Sequence, residues 1–326
     1  MKKLTPILVV ALTAILLNSC VVGRIMTKRA LCPDVHGVAD IERTRHKADS
    51  LLPGSTEWYD NLKAKGIIRD TFIVGYNNYR VHAVYAPAAN PEKANGTAII
   101  IHGYGDNHLV FLYLGRMYRE ELNYNILMPD LQFHGYSEGG SIQMGWLDRY
   151  DILNWINVAY GIYPNDFMVL HGVSMGAATV MFTSGEPLPD YVRCFVEDCG
   201  YNSVRGQFTK NLKDIAPIPA DVLNSASIVT HSKFGWYFSE ADCSKALAKC
   251  KKPMLFIHGD ADDFVPFSDL QKNYNAKTHG YKEMWVAEGA VHANSYARYP
   301  EEYTHKVSNF LKTVHNMIED GSVYDE

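Results

Sequence analysis

Eight short apolar runs punctuate the chain: Thr71–Tyr76, Arg80–Ala86, Thr97–His102, Asn125–Pro129, Phe167–His171, Arg193–Asp198, Met254–His258 and Glu283–Ala287. Runs of this length fit strands and are too short for stable helices. The polar connection Asn77-Asn78-Tyr79 separates the first two in the manner of a hairpin. The later runs are continuously apolar, as strands covered on both faces are. Between them the rhythm changes to a helical one, over His108–Leu122 and over Trp146–Tyr160. Near the C-terminus, between Pro300 and Asp320, the residues Tyr303, Val307, Phe310, Leu311, Val314 and Ile318 share one helical face. An antiparallel start followed by strand–helix alternation predicts an α/β protein, with an eight-stranded, mostly parallel sheet and helices on both faces. The fifty-odd residues from Gly200 to Lys252 lack a strand rhythm. They carry Pro217, Pro219, Phe234, Trp236 and Tyr237, and read as a helical cap inserted after the sixth strand.

The first residues follow a different pattern. Lys2 and Lys3 precede the apolar run Leu4–Leu17, and Ser19 leads into Cys20. A basic start, an apolar stretch too short to span a bilayer and a small-residue processing site describe a signal peptide over 1–19. Leu17-Asn18-Ser19-Cys20 resembles a bacterial lipobox, which implies lipidation of Cys20 and a membrane-anchored envelope protein. Val21 stands where inner-membrane lipoproteins of many Gram-negative bacteria carry Asp, which favours the outer membrane. Residues 20–66 then read as a tether and an N-terminal docking helix, and 67–326 as one domain with the cap at about 200–252.

Charge narrows the partners. The formal net charge is -5 with no long basic run, which disfavours nucleic acid and anionic membrane surfaces. Besides Cys20 there are Cys32, Cys194, Cys199, Cys243 and Cys250; the 194/199 and 243/250 pairs are too far apart along one strand or one helix to bridge. No Cys-x-x-Cys, no His-Glu-x-x-His and no complete calcium loop occurs, and the third glycine of a dinucleotide fingerprint is missing at His108. No metal or cofactor is expected.

The chemistry concentrates at Gly172-Val173-Ser174-Met175-Gly176, between the fifth strand and a helix rich in small residues. A sharp strand-to-helix turn exposes a serine Oγ, and its glycines remove Cβ atoms that would clash. Serine needs a base, and the base needs an orienting acid. His292, in the loop after the last strand, is the expected base. The acid is expected from Asp260, Asp262 or Asp263 after the seventh strand, with Asp198 at the end of the sixth as a rival. For an oxyanion, the backbone N–H groups of Tyr104, in the loop His102-Gly103-Tyr104-Gly105, and of Met175 are the expected donors.

At these residues the chain resembles bacterial α/β-hydrolases of the serine aminopeptidase-like and lysophospholipase-like type. The resemblance is carried by His102-Gly103-Tyr104-Gly105, Asp130 with His134-Gly135-Tyr136-Ser137-Glu138-Gly139, the serine pentapeptide, His258-Gly259-Asp260-Ala261-Asp262 with Val265-Pro266, and Ala290-Val291-His292. It extends from about residue 67 to the C-terminus and implies the α/β-hydrolase fold. In that family's His-Gly-x-x-Asp-x-x-Val-Pro pattern the acid falls on Asp262. Leu131-Gln132-Phe133-His134-Gly135 departs from the common Leu-Arg-Gly-His-Gly form, a change in a supporting loop. The expectation is therefore a serine hydrolase cleaving carboxylic esters through an acyl-enzyme, with Ser174, Asp262 and His292 as triad. Two alternatives stand beside it. A peptidase or amidase would use the same triad on a short peptide, with Asp214, Asp221, Glu240 or Asp242 of the cap binding its amine. A catalytically silent lipoprotein would bind a ligand only.

Overall fold

The computed structural model describes residues 21–33, 41–215 and 220–322. Cys20 and the apolar run before it lie outside these, as do Pro217 and Pro219. The eight strands are β1 (Arg69–Val74), β2 (Arg80–Ala86), β3 (Thr97–Ile101), β4 (Asn125–Pro129), β5 (Met168–Val173), β6 (Val192–Asp198), β7 (Met254–Gly259) and β8 (Lys282–Ala287). They form one sheet in the order β1-β2-β4-β3-β5-β6-β7-β8. β2 pairs antiparallel with β1 and β4, and all other pairings are parallel. Every residue of β3, β4, β5 and β7 is buried, whereas β1 and β8 are partly exposed at the two edges. The hairpin between β1 and β2 closes by Gly75 N–H donating to the Tyr79 carbonyl, with Asn77 and Asn78 both left-handed at φ 61°. Asparagine tolerates that region better than most residues.

The strands alternate their side chains between two cores. Ile99 and Ile101 of β3 join one, Ala98 and Ile100 the other. The first core is closed by α5 (Asp148–Ile162), α6 (Met175–Ser184), the cap and α10 (Ser268–Ala276). The cap helices are α7 (Val204–Ile215), α8 (Ala220–Phe234) and α9 (Cys243–Leu247). Trp236 is fully buried beneath them, and its indole N–H donates to Gln143 Oε1 at 3.0 Å. The second core is closed by α2 (Ile41–Leu51), α3 (Ser55–Ala64), α4 (Leu112–Arg116), α11 (Ser295–Arg298) and α12 (Pro300–Glu319).

Two segments differ from the sequence reading. Where one helix is expected over His108–Leu122, a 3-10 turn (His108–Phe111) leads into α4 and then into a widened π turn, Met117–Glu121. The wide turn carries both Met117 and Tyr118 into the core, and the Tyr118 hydroxyl meets His171 Nδ1 at 3.1 Å. Where polar composition suggests a tether, residues 21–31 form a helix, α1. Its buried side holds Gly23, Thr27 and Leu31; Thr27 Oγ1 donates to the Ala226 carbonyl of α8 at 3.1 Å, and Ile142 N–H donates to the Leu31 carbonyl at 2.8 Å. A Cβ at Gly23 would stand 2.8 Å from the Ser225 carbonyl carbon, so glycine permits this approach.

Candidate active site

Ser174 stands between β5 and α6 with φ 58° and ψ -118°, a backbone conformation that non-glycine residues rarely occupy. Its neighbours explain how the turn closes. A Cβ at Gly172 would lie 2.1 Å from the Gly176 carbonyl oxygen, and one at Gly176 would lie 2.0 Å from that of Ile101. Both glycines are therefore steric requirements of the turn. Ser174 Oγ lies 2.8 Å from His292 Nε2, and His292 Nδ1 lies 2.7 Å from Asp262 Oδ2. His292 follows β8, and the Phe264 ring packs 4.8 Å from its imidazole.

The three aspartates after β7 separate clearly. Asp262 alone among them bonds His292; Asp260 accepts from Gly289 N–H on the exposed side. Asp262 Oδ1 accepts from the Phe264 and Val265 N–H groups, both at 2.9 Å, and Oδ2 also lies 3.3 Å from His258 Nε2. Burial by itself would raise this carboxyl. The hydrogen bonds from His258, His292 and Val265 outweigh it and hold Asp262 well below the usual carboxylate range. Asp198, the rival from β6, is turned away: it accepts from Tyr303 at 3.1 Å and Ser295 at 3.3 Å, and burial pushes it up to about 6.

Met175 is the first residue of α6, so its N–H is one of the donors a helix start leaves unpaired. The facing loop comes close enough that a Cβ at Gly103 would lie 3.4 Å from Ser174 Cβ. Tyr104 follows it. This loop is braced from several directions. Leu131 N–H donates to His102 Nε2 at 2.9 Å while His102 Nδ1 donates to the Gly103 carbonyl at 2.8 Å. Gly105 N–H donates to His134 Nε2 at 3.1 Å. From α2, Arg43 reaches the Gly105 carbonyl at 2.8 Å, and Lys47 grips both oxygens of Asp106 at 2.7 and 2.8 Å. From α1, the Ala30 carbonyl accepts from the Tyr104 hydroxyl at 2.9 Å.

Set against known proteins, the chain matches no protein-family profile. It is 27% identical over 231 residues to the uncharacterized protein YqkD of Bacillus subtilis, covering 70% of this chain and 75% of that protein. Among solved structures, the esterase Pf2001 of Pyrococcus furiosus superposes with TM-score 0.62 at 22% identity, covering 77% of this chain and 93% of the esterase. A membrane phospholipase A, a bacterial virulence factor, superposes with TM-score 0.56 at 17% identity, covering 82% and 93%. The chain has the α/β-hydrolase fold.

Within that α/β-hydrolase fold, Ser174 and His292 lie on the loops at the carboxyl end of the sheet, the usual place for chemistry in open α/β sheets. A second polar cluster was not legible beforehand. His82, His108 and Asp130 bring three atoms of metal-ligand type within 4.8 Å. The Asp130 carboxylate, however, already accepts from both Nδ1 atoms and from the His108 and Tyr136 N–H groups, at 2.8 to 3.0 Å. Burial would raise it, but His108 and His82 dominate and hold it well below the carboxylate range. Its lone pairs are occupied, so the cluster acts as a clamp that ties β2, β4 and the start of the 108–121 segment together. Histidines 102, 134 and 258 stand in the motifs quoted above, but the contacts of His102 with Leu131 and of His134 with Gly105 join loops distant in sequence, whereas His258 braces Asp262 within its own segment. The five cysteines among the described residues are unbridged.

Proposed function

We propose that this protein is a serine hydrolase that cleaves carboxylic esters through an acyl-enzyme. The observation that carries the reading is the continuous relay from Ser174 Oγ through His292 to Asp262, at 2.8 and 2.7 Å, on a strained serine turn. In this mechanism Ser174 Oγ attacks the ester carbonyl carbon while His292 Nε2 takes its proton. Asp262 accepts a hydrogen bond from Nδ1–H, fixing the tautomer in which Nε2 is free to act as base. The backbone N–H groups of Tyr104 and Met175 stabilise the oxyanion. His292 then gives its proton to the leaving alkoxide, the alcohol departs, and water hydrolyses the acyl-Ser174 bond by the same route. No residue here requires a cofactor or a metal ion.

An ester is favoured over a peptide because three of the four cap acids that could bind a free amine have other engagements. Asp214 pairs with Lys210, Glu240 accepts from Tyr237 N–H, and Asp242 caps α9 by accepting from Ser244 N–H at 3.0 Å; Asp221 is exposed. A fluorophosphonate probe should label the wild-type chain at Ser174 and leave Ser174→Ala unlabelled. Turnover of aryl and acyl esters of graded chain length should exceed that of aminoacyl amides. Labelling without turnover of any ester or amide, or labelling at another residue, would sink the proposal.

The leader adds a location. We infer lipidation at Cys20 and anchorage in the bacterial envelope, the outer membrane being favoured by Val21. Labelled fatty acid should enter the wild type and spare Cys20→Ala, and equal incorporation in both would refute it.

A further inference from the structure

Among the described residues no helix is long and apolar enough to cross a membrane. Helix α1 nevertheless has an exposed face with an unusual composition. Its buried side is spent on α8 and on the first core, through Gly23, Thr27 and Leu31. Outward it turns Val21, Val22 and Ile25, which are 55%, 40% and 50% exposed. At 100° per residue, Val21 and Ile25 form the middle of that face, Arg24 and Lys28 one flank, and Val22 and Arg29 the other. Residues 21–33 contain three basic side chains and no acidic one, although the chain as a whole is acidic. The neighbouring α8, which Gly23 and Thr27 touch through Ser225 and Ala226, adds Ile228 at 61% exposure.

We propose that the outer face of α1, together with Ile228, is a docking surface for a lipid bilayer bearing anionic headgroups. Val21, Ile25 and Ile228 enter the acyl boundary while Arg24 and Arg29 meet the phosphates. An apolar centre with basic flanks is the pattern of a helix that lies in the membrane interface. Position supports the same occupant: Val21 directly follows Cys20, so this face begins beside the proposed point of attachment to the membrane. The whole-chain charge argues against an anionic surface, but the structure gathers the relevant charges locally on one helix face. Through the Tyr104–Ala30 hydrogen bond, this surface is also joined to the loop beside Ser174. The proposal does not depend on hydrolysis, nor on an acyl group at Cys20.

The test uses the full chain in vesicles of phosphatidylcholine with phosphatidylglycerol, carrying a benzophenone amino acid in place of Ile25, Ile228 or, as control, Val74 of β1, which is 69% exposed. After illumination, mass analysis identifies what each position touches. Lipid adducts are expected at 25 and 228, about tenfold above those at 74, and several-fold fewer at 25 after Arg24→Glu with Arg29→Glu. Adducts to a second copy of the chain would overturn the proposal. So would lipid adducts at 74 equal to those at 25, or none at 25 in chains that float with the vesicles. Fluorophosphonate labelling of the same samples reports the serine chemistry separately, so failure of one reading is not failure of the other.

Discussion

At Ser174 a single oxygen separates the proposed enzyme from an inert fold. Ser174→Ala removes only Oγ from a turn that its flanking glycines hold, so ester turnover should fall by about three orders of magnitude or more while the melting temperature stays essentially unchanged. The acids are ranked by their partners. Asp262→Asn presents an amide to His292 Nδ1 and favours the wrong tautomer; kcat should drop by about 10³ to 10⁴. Asp260→Asn and Asp198→Asn should each cost less than about tenfold, because neither carboxylate bonds His292. Comparable losses in Asp198→Asn and Asp262→Asn would show that the relay is drawn through the wrong residue. Asp148 makes a different prediction, about stability. It is buried, one of its oxygens has no partner, and burial with the nearby Asp151 pushes it up to about 7. Its folded value lies above its unfolded one, so its contribution is full below about pH 4 and is lost as pH rises through about 7. Asp148→Asn should flatten the fall in melting temperature between about pH 4 and 7 by about 2 to 5 °C, and an unchanged slope would mean that other groups set it.

Elements behave according to how closely they pack. A methyl group at position 176 would meet the end of β3 at 2.0 Å, against backbone that has no room to yield. Gly176→Ala should therefore lose more than about 10 °C in thermal stability, or fail to accumulate as folded protein, whereas Gly161→Ala, with open space at its Cβ, should be tolerated. The α2 brace is gentler: Lys47→Ala frees Asp106 and should lower kcat/KM by about three- to tenfold with little change in melting temperature. The strands were readable in the sequence because each is a short apolar run flanked by turn residues, and their ends move by only one or two positions. Helix α1 was unreadable for the opposite reason. Its buried positions are Gly23, Thr27 and Leu31, only the last of them a large apolar residue, while Val21, Val22 and Ile25 face outward. Read for amphipathicity alone, its pattern is inverted.

For the molecule as a whole, chain order and spacing carry the sheet, because a parallel strand–helix alternation admits few right-handed topologies. The residues of the proposed relay were legible as well, since glycine spacing and the loops after β7 and β8 narrow them; the choice of Asp262 over its neighbours needed the family resemblance. What no local pattern encodes is the support behind them. His134 beneath Gly105 and the Asp130 clamp each join segments that meet only after the sheet has formed.

The contact between Thr27 and Ala226 spans 199 residues of sequence. During synthesis the inner side of α1 has nothing to rest on until α8 has emerged, roughly 10 to 40 s later at ordinary elongation rates. Ile142, which meets the Leu31 carbonyl, also arrives long after. Contacts of such separation form late, because their loop-closure cost comes before their reward. The beginning of this chain is thus a latecomer to its own fold, and the stretch beside Cys20 stays uncommitted while the rest is being made. In pulsed proteolysis during refolding, cleavage near Arg24 and Lys28 should persist after the β-sheet has become resistant. A processing enzyme would meet an open strand there first, and only afterwards a helix seated on the cap.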